Sequence, residues 1–202
     1  YLAPSAIAVA VMASSLSVGV QAAGFVEDAK VTLGLRNYYF NRNYLNGTDP
    51  VIRGERQGQA EGWTQNFILD ARSGFTEGTV GFGLDAYASL GLKLDSSRAR
   101  TGTDLLPIDS RGRPEDHYAK AGGAVRMRVG LTELKYGNQL LINPVFGTGN
   151  ARLFTSVATG FQLTSHELKA LQLDIGHFTA GNDSNSTNAD GALKALYAGV
   201  ET

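Results

Sequence analysis

The stretch T-V-G-F-G-L-D-A-Y-A-S-L-G-L-K-L-D, from Thr79 to Asp95, limits what this chain can fold into more than any other. Val80, Phe82, Leu84, Ala86, Ala88, Leu90, Leu92 and Leu94 fall on one side, and Asp85, Tyr87, Ser89, Lys93 and several glycines on the other. Period two is the signature of a strand, because successive side chains point to opposite faces. Globular strands run about five or six residues, and this one is far longer. A long strand with one oily face and one charged face needs apolar and polar surroundings along its whole length.

The pattern recurs. Runs over residues 29–40, 62–72, 118–131, 134–140, 153–163 and 171–179 alternate in the same way, and an eighth begins at Ala192. His177 interrupts the apolar side of the seventh run. The connections alternate between long and short. Residues 41–59 and 96–117, the I-N-P-V-F-G-T-G-N-A-R segment and the G-N-D-S-N-S-T-N-A-D loop are long; S-G-F-T-E-G, L-T-E and T-S-H-E-L-K are short. Long loops on one side and short turns on the other, joining strands of about ten residues or more, are the habit of outer-membrane barrels. A soluble β-sandwich alternates too, but with shorter strands and no such parity of loops. The fold class expected is therefore all-β, a transmembrane antiparallel β-barrel. Its apolar face would meet lipid and its mixed face would line a lumen. Trp63, Tyr38, Tyr39, Phe40 and Phe75 stand near run ends, where interfacial aromatics belong.

Composition agrees. Charged residues make up 18% of the 202 positions, below the roughly 25% usual in soluble domains. No cysteine is present, which excludes disulfides and thiolate metal sites. The net charge of −1 gives no sign of nucleic-acid binding. Ala6 to Val20 is small and apolar, and Val20 and Ala22 suit the −3 and −1 positions of a signal-peptidase site. That segment is short for a membrane helix. Residues 1–22 are expected to be a signal peptide and 23–202 the mature barrel. The chain starts at Tyr1 without a basic leader and stops at V-E-T inside a strand-like run, so truncation at both ends is expected.

Several long strings resemble the OprD family of substrate-specific outer-membrane porins. They are A-E-G-W-T-Q-N-F-I-L-D-A-R-S-G-F-T-E-G-T-V-G-F-G-L-D-A (60–86), L-T-E-L-K-Y-G-N-Q (131–139), N-P-V-F-G-T-G-N-A-R-L-F (143–154) and L-T-S-H-E-L-K-A-L (163–171). The resemblance runs from Gly24 to Thr202. It implies an eighteen-stranded monomeric barrel in outer-membrane lipid, of which eight strands in the N-terminal part are present here. It also implies loops folded into the pore and uptake of small solutes, often carboxylates, past a ladder of basic side chains. Amino acids and aromatic or other carboxylates are the solute classes implied.

Alternation alone puts the cations Lys30, Arg36, Arg72, Lys93, Lys120, Arg126, Arg128 and Lys135 on the polar face, with the anions Asp70, Asp85, Asp95 and Asp174. Rows of Arg and Lys select anions in pores. Arg126 and Arg128 are about 7 Å apart along one strand face, close enough to pass a carboxylate between them. The competing reading is mutual pairing, for example Arg72 with Asp70 or Asp85, which would make these charges wall supports. The residues expected on the solute path are Arg36, Arg72, Lys93, Lys120, Arg126, Arg128, Lys135 and Asp85. The segment from Ile142 to Arg152 breaks the alternation. By resemblance it is the third external loop, folded inward, with Asn143, Phe146, Asn150 and Arg152 at the constriction; an ordinary external hairpin is the alternative.

No cofactor or metal is expected. G-F-G-L-D-A and G-T-G-N-A precede no helix and so are not nucleotide loops. Ser165, His166 and Glu167 are sequence neighbours suited to a turn rather than a triad. The function expected is selective passive diffusion without bond chemistry. The rivals are a barrel enzyme with its site elsewhere in a longer chain, and a soluble exported β-sandwich that binds a ligand.

Overall fold

A computed structural model describes residues 24–44, 51–52, 55–141, 152–195 and 200–201. The expected signal peptide lies outside the described residues. The strands in chain order are β1 (Lys30–Asn43), β2 (Val51–Ile52), β3 (Glu55–Arg56), β4 (Gln59–Arg72), β5 (Val80–Asp95), β6 (His117–Val129), β7 (Thr132–Gln139), β8 (Val157–Ser165), β9 (Leu173–Asn182), β10 (Lys194–Ala195) and β11 (Val200–Glu201). Seven of them form one antiparallel sheet in the order β1-β4-β5-β6-β7-β8-β9. Each main strand pairs with its chain neighbour across a hairpin, the up-and-down meander from which barrels are closed. The short pairs β2–β3 and β10–β11 stand apart from it. The eighth run, expected from Ala192, is found among the described residues only as β10, which pairs with β11 and not with β9.

The opening stretch is β5, 16 residues long. Its alternation turns the usual distribution of polarity inside out. Val31, Leu33 and Leu35 are each about two-thirds exposed. By contrast, Thr64 and Asn66 have no exposure and Arg126 has 2%. Register builds the exposed face in rows. Phe82 is opposite Met127, Met127 opposite Leu134, Leu134 opposite Leu163, and Leu163 opposite Ile175. Since period two fixes the face of every residue once one pair is set, these rows also send the intervening polar residues to the other side. His177 joins the outward face, its ring 5.9 Å from that of Phe161.

Tyr39 and Trp63 are opposite each other on that face, near one end of β1 and β4. Tyr39 Oη donates to Glu61 Oε1 at 2.8 Å and Trp63 Nε1 donates to Asn37 Oδ1 at 2.9 Å. This pair has the amphipathic character of an interfacial girdle. Tyr38, Phe40 and Phe75 turn the other way, because two of them are the alternate residues of β1 and the third sits in a turn folded under the sheet.

The packed core lies on the polar side, at the end where the long loops are. Leu105, Leu106, Tyr118, Leu153 and Phe154 are buried together, with Tyr38 and Phe40 against them. Leu105 and Leu106 of the β5–β6 connection, and Leu153 and Phe154 before β8, therefore lie over the inner face. The short connections stay tight: Leu131 N–H donates to Glu167 Oε1 at 2.7 Å and His166 N–H to the Leu131 carbonyl at 3.1 Å. Glu167 thus acts as a turn residue, with Gly130 at φ +57° supplying the left-handed bend beside it.

Candidate functional site

The inner face carries two kinds of cation. Those toward the long-loop end are engaged by the loops. Arg36 Nη1 donates to the Arg152 carbonyl at 2.7 Å, and Asn66 Nδ2 donates to the Leu153 carbonyl at 2.9 Å. Arg152 lies with its guanidinium 5.5 Å from the centre of the Phe40 ring. The end of the expected constriction loop is therefore fastened to the inner wall of β1 and β4, and Leu153 and Phe154 have no exposure. Asn143, Phe146 and Asn150 lie outside the described residues. Lys120 Nζ donates to Asn182 Oδ1 at 3.1 Å and to the Asp183 carbonyl at 3.0 Å, holding the segment after β9. Lys93 Nζ donates to the Pro114 carbonyl at 3.0 Å and pairs with Asp116. The hydrogen bond from Lys93 holds the Asp116 carboxyl below its ordinary range.

Toward the short-turn end, four strands aim charges at one point. Asp85 on β5 is opposite Arg72 on β4. Its Oδ2 is 2.7 Å from Lys135 Nζ of β7. Its Oδ1 is 2.7 Å from Arg126 Nε of β6 and 3.8 Å from Arg72 Nε. The Arg126 contact is a close ion pair that misses hydrogen-bond alignment, so Nε and Oδ1 have no angularly sound partner. Glu133 is the second acid, 3.5 Å from Arg72 Nη2 and 4.0 Å from Arg126 Nη1. Arg72 thus pairs with Asp85, one of the two acids its position suggested, and with Glu133, which alternation did not single out. The sequence pattern placed Glu133 in the L-T-E turn; β7 instead starts at Thr132, and Glu133 stands opposite Arg128.

Small residues make this convergence possible. Gly83 is opposite Arg126, and a Cβ there would stand 2.9 Å from Arg126 Nη2. The guanidinium therefore occupies the space that a side chain at Gly83 would fill. Ala124 is opposite Asp85 and lets Lys135 reach over β6 from β7. Arg126 Nη2 also donates to the Ser73 carbonyl at 2.6 Å. Phe75 lies under both arginines, its ring centre 4.4 Å from the Arg126 guanidinium and 4.2 Å from that of Arg128, well inside cation–π range.

Two recesses flank the cluster. One of about 310 Å³ is lined by Lys30, Arg72, Asp85, Tyr87 and Lys135, among others. The other, about 620 Å³, is bounded by Asp28, Lys30, Arg72, Phe75, Arg126 and Arg128. Lys30 and Arg72 border both. Among the described residues, no group of three His, Asp or Glu is placed to hold a metal ion.

A single sheet with an apolar exposed face, a charged inner face and loops folded over that inner face is the wall of a membrane β-barrel, not half of a β-sandwich. The chain belongs to the OprD family of outer-membrane porins, which are channels of the bacterial outer membrane and not enzymes; that family's model matches residues 23–202. Porin D of Pseudomonas aeruginosa is 46% identical over 96% of this chain and 44% of its own length. The structure of a BenF-like porin from Pseudomonas fluorescens Pf-5 superposes with a TM-score of 0.80 at 41% identity, covering 89% of this chain and 45% of that one. That of OpdK from Pseudomonas aeruginosa with vanillate gives 0.72 at 39%, covering 84% and 40%. The chain spans less than half the length of the relatives it matches.

Proposed function

We propose that this chain forms part of the wall of a monomeric outer-membrane channel that admits small carboxylate-bearing solutes by passive diffusion. Residues 23–202 would belong to the barrel and the preceding segment to the export signal. The observation that carries the reading is the convergence of Arg72, Arg126 and Lys135, with Arg128 beside them, on an inner face whose reverse side is apolar. A basic wall raises the local concentration of anions. Several modest cationic contacts let a solute step along the wall and leave, whereas one strong site would trap it. The planar guanidinium matches a carboxylate, and the ring of Phe75 offers a stacking surface to an aromatic solute. A relative solved with vanillate, an aromatic carboxylate, supports that solute class.

The full-length protein in planar bilayers tests this. A benzoate gradient should drive current, and benzoate should interrupt the potassium chloride conductance in discrete events. Replacing Arg126 and Arg128 together by Ala should slow benzoate flux more than that of a neutral sugar of similar size. Equal loss for both solutes would remove the arginines from the solute path, and a channel indifferent to benzoate would remove the function.

A further inference from the structure

Asp85 is an acid in the middle of a basic wall, and nothing in an anion-attracting surface calls for it. Its surroundings are those of a bound ligand. Both oxygens face cations from three other strands: Arg72 of β4, Arg126 of β6 and Lys135 of β7. The Asp85 side chain is 17% exposed, Lys135 23% and Arg72 56%, so the group meets the lumen and not a sealed interior. Three cations face two acids, Asp85 and Glu133, and one positive charge is left over.

From this geometry we infer that Asp85 is a built-in competitor for solute carboxylates: it occupies the cation cluster as a solute would and sets how weakly that cluster holds an anion. The inference rests on the channel reading above and adds a residue that determines selectivity and residence time. A solute carboxylate arriving at Lys135 or Arg72 must share those donors with Asp85 or displace it. The tether keeps Asp85 at high effective concentration, so the solute's hold is always contested. Removing the negative charge while keeping the shape would leave three cations against Glu133 alone. At contact distances in a partly hydrated site, one elementary charge changes binding by about tenfold or more.

The experiment uses full-length channels whose folded state is verified by heat-modifiable gel mobility. Two readings are taken: the reversal potential in a potassium chloride gradient, which needs no organic solute, and the duration of benzoate blocks. Asp85→Asn should move the reversal potential toward chloride and lengthen benzoate blocks roughly tenfold; Asp85→Glu should return both toward the parent. Lys135→Gln removes the surplus positive charge while leaving the Asp85–Arg126 pair, and should shift both readings the opposite way. It also stands in if Asp85→Asn does not fold. An anion-selective parent whose readings neither variant moves would overturn the competitor role and leave the channel reading intact. A parent with no anion preference and no benzoate blocks would overturn both.

Discussion

Arg36 of β1 reaches across the inner face to the backbone of Arg152, its Nη1 2.7 Å from that carbonyl, joining residues 116 positions apart. With Asn66 on the next carbonyl, it holds a loop end against the wall that it would otherwise leave. Arg36→Ala should free this attachment. A charged hydrogen bond to a carbonyl contributes about 1.5–3 kcal/mol. The variant should therefore show larger and noisier single-channel conductance; a trace identical to the parent's would mean that the buried Leu153 and Phe154 hold the loop without it.

Lys120 is 6% exposed and spends its ammonium on Asn182 and Asp183. Lys120→Met keeps the stem and removes both donations, leaving two acceptors unserved at about 1–3 kcal/mol each. The folded form should convert to the unfolded gel band at a lower temperature, and the segment after β9 should become sensitive to external protease. A melting temperature equal to the parent's would refute the tethering role.

The outward rows make the opposite prediction from the inward ones. Met127 lies mid-row between Phe82 and Leu134. Met127 stands two residues from the short-turn end of β6, so Met127→Arg should cost insertion stability, but less than the about 2–4 kcal/mol of an arginine at the bilayer midplane. Assembly into lipid vesicles, followed by gel shift, measures it. The adjacent inward position is already Arg126; assembly of Met127→Arg equal to the parent's would refute a lipid-facing role for Met127.

The loop between β5 and β6 carries a pH-dependent turn. Asp109 Oδ1 accepts from the backbone N–H groups of Arg111 and Arg113, each at 2.8 Å, and Oδ2 accepts from Arg113 Nε at 3.3 Å. The Arg113 backbone donor, above all, holds its carboxyl below the usual range. A lowered native pKa means that the stabilisation is complete above the unfolded value near 3.9 and is lost as pH falls below it. Protease cleavage in residues 104–114 should rise between about pH 4 and pH 2 in the parent. Asp109→Asn should be cleaved at all pH values; no acid-dependent rise in the parent would refute the turn's role.

The strands, their faces and the parity of loops were legible because period two is a local property and lipid imposes it over long runs. The resemblance implied an inward loop ending at Arg152, and the described end of that segment, Arg152 to Phe154, lies against the inner wall. What the sequence left open was pairing. Alternation placed Asp85, Arg126 and Lys135 on one face but could not say that they meet, because that depends on register between strands and on Gly83 and Ala124 clearing the way. Glu133 was hidden by a boundary: L-T-E reads as a turn, whereas the strand already begins at Thr132. Arg36, Lys93 and Lys120 read as equal rungs of the ladder. Their use as loop fasteners depends on backbone carbonyls of distant segments, such as Leu153 and Asp183, which no periodicity reveals.

Arg126 takes one of its partners from a connection between strands: the carbonyl of Ser73. That short turn also supplies the Phe75 ring beneath both arginines. Turns of this kind are the usual place to insert epitope tags or reporter peptides when mapping which side of a membrane a loop occupies. Here an insertion between Ser73 and Phe75 would not be electrically silent. It would let go of the guanidinium from below, so a tagged protein that reaches the membrane in normal amounts would still carry an altered inner wall.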